Sequence, residues 1–407
     1  MVTQLFWKAK MWGTPHLKDR YDVVIVGAGV HGLSTAYYLA KDHGITNVAV
    51  LDRAYIGGGG SARSTAIIRS NYLTAEAIPF FRESHKLYEG LGQELSFNLL
   101  FNQMGRLDIG HTESSVYWLN LRVEFNQLLE VDSRLIGPDE IKKMVPQIDL
   151  RVGKRLPIMA ALHHPRAGVV RHDAVVWGYA RGADKMGVEI HPFTEVTGIT
   201  RDGSRVTGVD TTSGHIMADT VVSATAGWSS NISAMVGLDL PIVTYPLQAC
   251  VTEPMKPFMD TIVSSADIHV YVYQTDRGEL VIGGAVDQYQ TYSQRSTLTM
   301  LEELASDALD LLPDIREVKI MRQWAGLCDM TPDYAPIIGK APGFDGFVLN
   351  CGWGTWGFKA APASGVSTAE LIATGRTPAL IKHFGPERFD NGTMVNERAA
   401  AIAAAIH

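Results

Sequence analysis

Apolar residues along this chain switch between a strand period and a helix period, and the first switch falls within residues 21–52. Tyr21-Asp22-Val23-Val24-Ile25-Val26 is a short apolar run suited to a buried parallel strand. Leu33, Ala36, Tyr37 and Ala40 then recur at helical spacing, and Asn47-Val48-Ala49-Val50-Leu51 supplies a second strand. From Pro79 to Pro146 the pattern is helical and mixed. Residues 113–129 carry apolar positions at helical intervals, and Gly137-Pro138-Asp139-Glu140 marks a fresh helix start. A further amphipathic helix is predicted over 173–186, followed by short strands at 188–190, 196–199, 206–210 and 220–224. Residues 241–284 read as longer strands, 301–312 as a helix closed by Pro313, and 346–350 as another strand. The alanine-rich stretch 394–407 reads as a surface helix, and the chain contains no internal repeat.

The first strand runs directly into Gly27-Ala28-Gly29-Val30-His31-Gly32, a complete G-x-G-x-x-G. The first glycine permits a tight turn, the second lets backbone approach a pyrophosphate, and the third lets helix and strand pack closely. Asp52 lies twenty residues beyond Gly32, where a carboxylate can accept hydrogen bonds from an adenosine ribose. The bare motif is often only a turn; strand, helix and spaced acid together point to an ADP-bearing cofactor.

Ile56-Gly57-Gly58-Gly59-Gly60-Ser61 could pass for a linker. Its place between Asp52 and the segment Ser64–Arg69 favours a loop facing the cofactor, which sets Arg53, Gly60 and Ser61 beside it. A second glycine-rich turn, Gly352-Trp353-Gly354-Thr355-Trp356-Gly357, follows a strand about 320 residues later. A nicotinamide dehydrogenase completes its site soon after the first motif. The late return suits a flavin, with its adenine end on the N-terminal motif and its ring on Gly352, Gly354, Thr355 and Gly357.

Composition narrows the class. At 407 residues the chain has room for two or three domains, and 46% hydrophobic with 19% charged residues is ordinary for a soluble globular enzyme. A net charge of -7 argues mildly against nucleic acid, and no run approaches the roughly twenty apolar residues of a membrane span. Cys250, Cys328 and Cys351 share no metal spacing, and His163-His164 lacks companions that would complete a metal site. Met1 to Arg20 does not read as a signal peptide. A soluble cytoplasmic enzyme with no metal is expected.

Three segments carry a resemblance over nearly the whole chain: the first motif with Asp52, Thr331-Pro332-Asp333 through Gly339, and Gly352-x-Gly354-x-x-Gly357. Together they resemble the D-amino-acid-oxidase-like flavoprotein family. Ser64–Arg69, Arg171-His172-Asp173 and Gly357-Phe358-Lys359 resemble, within it, the β subunits of heterotetrameric sarcosine oxidases.

The resemblance implies an α/β fold with a discontinuous Rossmann-type FAD-binding domain (20–100, 166–232, 332–407) and an antiparallel-sheet substrate-binding domain (101–165, 233–331), after an N-terminal extension at 1–19. It implies non-covalent FAD, and FMN attached covalently through His172, whose neutral imidazole can bond the flavin 8-methyl carbon. Taken alone, His172 reads as an ordinary helix-start residue. Arg69 and Lys359 correspond to the family's cationic pair for the substrate carboxylate, the catalytic candidates. Tyr271 and Tyr273 are pocket or core aromatics.

The implied reaction is oxidation of sarcosine to glycine. The one-carbon unit leaves as formaldehyde or passes to tetrahydrofolate in a partner subunit that also holds NAD. Electrons run from FAD to FMN to oxygen, giving hydrogen peroxide. A single-flavin amino-acid oxidase or dehydrogenase and a non-catalytic FAD-holding subunit are the alternatives. Compared with monomeric relatives, Gly326 stands where they attach FAD to a cysteine, with Cys328 two residues away. Ala66 replaces one arginine, and Val281 replaces the oxygen-activating lysine.

Overall fold

The computed structural model describes residues 11–151 and 156–399. Strand Arg20–Val26 is the centre of a sheet in which 347–351, 214–223, 20–26, 48–51 and 189–191 lie side by side and parallel. Strand Ile337–Lys340 closes one edge antiparallel, and the hairpin 196–202/205–211 extends from the outer part of 214–223. The period-2 rule explains the layering. Val23, Ile25, Val48 and Val50 face one core with helices Val30–His43, Ala77–Glu94, His172–Lys185 and Gly357–Thr374. Val24, Val26, Ala49 and Leu51 face a second core under the hairpin.

The second sheet runs 320–330, 243–254, 279–286, 270–274, 262–265, 106–110, 160–164, 134–136. All its neighbours are antiparallel except 262–265 against 106–110, which is parallel. Its outer face packs on helix Leu298–Leu311 through Leu107, Ile109, Val272 and Ile282. The two sheets make the α/β fold of a Rossmann-type nucleotide domain with a largely antiparallel second sheet.

Helix Val30–His43 is buried on every side through Ala40 and ends at Gly44, whose φ of 65° closes a left-handed cap onto Ala40 and Leu39 carbonyls. It crosses Gly357–Thr374, where small residues allow close approach. A Cβ on Gly365 would lie 2.6 Å from Ser34 Oγ. Pro362 sits inside that helix and cannot supply the N–H that the Phe358 carbonyl would otherwise receive. The Tyr88 hydroxyl donates to Phe358 O at 2.6 Å instead, and Ser84 Oγ donates to Lys359 O at 2.7 Å. Tyr88→Phe is expected to leave a buried carbonyl unpaired and to lower stability by about 1–3 kcal/mol, read by denaturant unfolding.

Two expectations need correction. Residues 320–330, 106–110 and 134–136 are strands not anticipated from the pattern. Residues 394–399 form no surface helix: buried Glu397 accepts the Leu73 and Thr74 N–H groups and ties the segment inward, while 400–407 lie outside the described residues.

Candidate functional site

Between the two sheets lies a cavity of about 510 Å³, within the usual range for a cofactor or ligand site. One end is built on the first glycine motif. Gly27 has φ of +110°, and a Cβ there would stand 2.4 Å from the Ala224 carbonyl, so strand ends 26 and 224 can only meet across glycine. Gly29 caps the helix start, and Ser61 Oγ accepts the Val30 N–H at 2.9 Å, which ties the 56–61 loop to that terminus. Gly32 does not line the cavity. A Cβ on it would lie 1.9 Å from Gly27 O, so its role is to let the helix sit down on the strand.

Asp52 ends the second strand and lines the cavity. Its Oδ2 accepts Ala28 N–H and its Oδ1 accepts Ala54 N–H, each at 2.9 Å. Each oxygen keeps acceptor capacity for a hydroxyl. Burial raises its pKa, opposed by those two N–H groups and by Arg53. Arg53 stacks on Trp228 at 3.9 Å, and both line the cavity with Gly60 and Ser61.

The other end is built on the C-terminal motif. Gly354, Thr355 and Gly357 line the cavity; Gly352 does not, because its φ of +67° turns the loop against Thr331. Asp329 organises this loop, accepting Gly352 N–H on Oδ2 at 2.6 Å and Gly354 N–H on its carbonyl at 3.1 Å. Burial raises the Asp329 carboxyl to about 6 against these donors. Asp333, in the segment that follows, is buried in a two-point pair with Arg388 at 2.8 and 3.0 Å and anchors Val395.

Lys359 and Arg69 are brought to the same cavity. Lys359 Nζ donates to Thr355 O at 3.1 Å, and burial, helped by Arg69 and Arg106, pushes its pKa well below the ordinary lysine value. Arg69 is buried, stacks on Tyr72 at 4.2 Å, and donates to Asn71 O and Oδ1 and to Ala399 O. Tyr271 lines the cavity, accepts the Thr65 hydroxyl at 3.1 Å, and has its own ionisation pushed up to about 12 by burial. Gly283 faces it across the sheet, where a Cβ would lie 2.2 Å from the phenol oxygen. Tyr273 is not part of the lining; its hydroxyl donates to Thr65 O at 2.8 Å.

His172 is not in the cavity. It starts helix His172–Lys185, half-buried, and burial lowers its pKa, with Asp173 opposing and Arg171 and Arg322 adding to the effect. A neutral imidazole there fits attachment to an electrophilic methyl carbon. Val281 is buried among Ile67, Ile262, Tyr271 and Tyr273, an apolar position. Cys328 lines the cavity, but burial and the Asp329 carboxylate push its thiol up to about 12. It is expected to resist alkylation at neutral pH until the protein unfolds, measurable by labelling native and denatured protein. Arg106 and Asp329 are cavity residues that the sequence pattern did not single out.

The cavity thus offers FAD a glycine cradle that side chains would fill, an open helix start for phosphates, a carboxylate with spare acceptors, and cations at the far end. A family model for FAD dependent oxidoreductases, DAO, matches residues 22–371. The chain belongs to that family. Sarcosine oxidase subunit beta from Rhodobacter capsulatus is 45% identical over 96% of this chain and 94% of its own length. The subunit of the same name from an Arthrobacter species is 45% identical over 97% of both chains. Among solved structures, L-proline dehydrogenase from P. horikoshii superposes with a TM-score of 0.86 at 29% identity, covering 92% of this chain and 99% of its own. Within the family, the sarcosine oxidase β subunits are the relatives this chain resembles at 44–45% identity. Among the described residues no helix is long and apolar enough to cross a membrane, and no group of three His, Cys, Asp or Glu is placed to hold a metal.

Proposed function

We propose that this chain is the amine-oxidising subunit of a multi-subunit sarcosine oxidase, acting in a reducing cytoplasm that suits its three buried free thiols. The observation that supports this reading most is that Lys359 and Arg69 line the same cavity as residues of both glycine motifs. Gly27, Gly29 and Asp52 would hold FAD there, which would supply a two-electron acceptor for oxidation of the substrate methyl group, and His172 would hold FMN as the onward electron carrier.

The chain's own residues hold and orient. A carboxylate entering the cavity meets Lys359 and is fixed by charge-assisted hydrogen bonds. Tyr271 stays protonated at neutral pH and has a proton to donate, because it already accepts from Thr65. Leu247, Leu327, Phe358 and Ile67 supply apolar wall that excludes water and strengthens these contacts. Val281 is apolar, so no lysine stands at that position to assist oxygen reduction, which suits electrons leaving for a second flavin.

Lys359 gives this reading a pH signature. Its free-state pKa is depressed, and a bound carboxylate favours the ammonium, so the pKa rises on binding. Affinity for a carboxylate inhibitor is therefore expected to be constant below the free pKa. It then falls by up to about tenfold per pH unit between the free and bound values, with uptake of one proton. Titrating the flavin spectrum with acetate across pH checks this.

Acid precipitation of protein co-expressed with its partner subunits tests the two-flavin reading. The expected result is FAD in the supernatant and FMN retained on the peptide containing His172. Release of FAD with no flavin retained would instead support a single-flavin amino-acid oxidase, the reading closer to the L-proline dehydrogenase likeness.

A further inference from the structure

We propose that Arg106 is a third cation of the carboxylate site and contacts the substrate carboxylate directly, an inference that rests on the amino-acid-oxidising reading of the cavity. Strand Arg106–Gly110 is buried throughout, and alternation sorts its residues. Leu107 and Ile109 enter the core beneath helix 298–311, while Arg106 and Asp108 share the opposite face, with Ser264 paired across from Asp108. A buried strand needs no arginine for packing. Arg106 is 8% exposed, and it lines the cavity.

Its hydrogen bonds leave a donor over. Nε donates to Asp108 Oδ1 at 2.7 Å and Nη2 to Ser264 Oγ at 2.9 Å, and among the described residues Nη1 makes no hydrogen bond. Arg69 differs: both its terminal nitrogens are committed to Asn71 and Ala399. Arg69 keeps only its Nε without a hydrogen bond among the described residues, whereas Arg106 has a whole terminal amino group to offer a ligand.

The charges around it call for an anion. Asp108 is shared by Arg106, Arg122 and Asn71, and despite burial those cations and Arg69 hold it ionised. Glu397 is consumed by Leu73, Thr74 and Ala399. Arg69, Arg106, Arg122 and Lys359 therefore stand against three carboxylates, Asp108, Glu397 and the loop-bound Asp329, each already hydrogen-bonded. Lys359 can shed its proton, but an arginine cannot. A substrate carboxylate placed between Arg106 and Lys359 supplies the missing charge.

The test uses FAD-loaded protein and two ligands that cannot be oxidised as amines: methoxyacetate and its neutral amide, methoxyacetamide. Each is titrated against the flavin spectrum. Arg106→Met is expected to weaken methoxyacetate by about 100-fold while leaving methoxyacetamide and FAD content unchanged. Asp108 keeps Arg122 as a partner in that variant. Arg106→Lys, which keeps charge on a shorter stem, is expected to lose about tenfold, and serves if Arg106→Met does not retain FAD.

Arg122→Met is the discriminating control, since Arg122 also grips Asp108 but does not line the cavity. It should change methoxyacetate affinity by less than about threefold. Equal losses in the Arg106 and Arg122 variants would show that Arg106 acts only through Asp108 and overturn the proposal, as would unchanged affinity in both Arg106 variants. Failure of the wild-type protein to bind methoxyacetate would overturn the amino-acid reading of the cavity along with it.

Discussion

Lys359→Met is expected to reduce kcat/KM for sarcosine by about 100- to 1000-fold while FAD content stays unchanged. The magnitude follows from truncating one partner of a buried, hydrogen-bonded charge pair, which costs about 2–5 kcal/mol, at 1.36 kcal/mol per tenfold in rate. Methionine fills similar space, and Thr355, whose carbonyl loses the Lys359 ammonium, lines the cavity just ahead of helix 357–374. The loss should appear mostly in substrate affinity, with a smaller change in the limiting rate of flavin reduction, since the carboxylate is held in ground and transition states alike. Anaerobic stopped-flow reduction separates the two. A variant with wild-type affinity for sarcosine would remove Lys359 from the substrate site.

Gly32→Ala is expected to give protein without bound flavin. The added Cβ would lie 1.9 Å from the Gly27 carbonyl and 3.2 Å from Ile25 Cγ2, so the start of helix 30–43 must lift off strand 20–26. Overpacking of this kind costs about 1–3 kcal/mol, and here it also displaces the backbone that faces the cofactor phosphates. Gly44→Ala is the matched control at the other end of the same helix. Its φ of +65° makes alanine strained, but nothing lies within 4 Å of the new Cβ. That variant should lose about 1 kcal/mol of stability and stay yellow. Equal flavin content in the two proteins, measured by absorbance after gel filtration, would contradict the assignment of Gly32 to the nucleotide turn.

The parts of the fold that were legible are those in which local pattern and tertiary position agree. Residues 20–52 are buried on both faces of a parallel sheet, so their apolar runs announce themselves, and the helix start at Pro138 carries its own punctuation. Strand 106–110 was opaque because its polar face is buried, Arg106 lining the cavity and Asp108 pairing with it, where a polar face ordinarily signals solvent. Strand 320–330 changes environment midway, exposed at Ile320–Arg322 and buried from Leu327, so no single period runs through it. The alanine-rich composition of 394–407 suggested a helix, but over 394–399 the hydrogen bonds of buried Glu397 to Leu73 and Thr74 decide the backbone.

In the site, glycine spacing located the turns but could not divide their labour. Gly27, Gly29 and Gly354 face the cavity, whereas Gly32 and Gly352 serve backbone approach behind it. Lys359 and Arg69 lie 290 positions apart, and only the resemblance linked them before the structure placed both in one cavity. Arg106 comes from a strand with no motif around it, and Asp329 lies two residues ahead of the Thr331-Pro332-Asp333 segment without belonging to it. His172 stands apart from the cavity, as a second flavin site would require if FAD occupies the first.

The proposed oxidation of an N-methyl amino acid takes place at the cation-lined cavity. The most direct test is anaerobic addition of sarcosine to FAD-loaded protein, followed by the flavin's visible absorbance. Bleaching is expected with sarcosine, none with the methyl ester that lacks the carboxylate charge, and a much weaker response in Lys359→Met. Full retention of the oxidised spectrum at saturating sarcosine would contradict the proposed oxidation and leave the chain as a flavin-holding subunit whose chemistry lies in a partner.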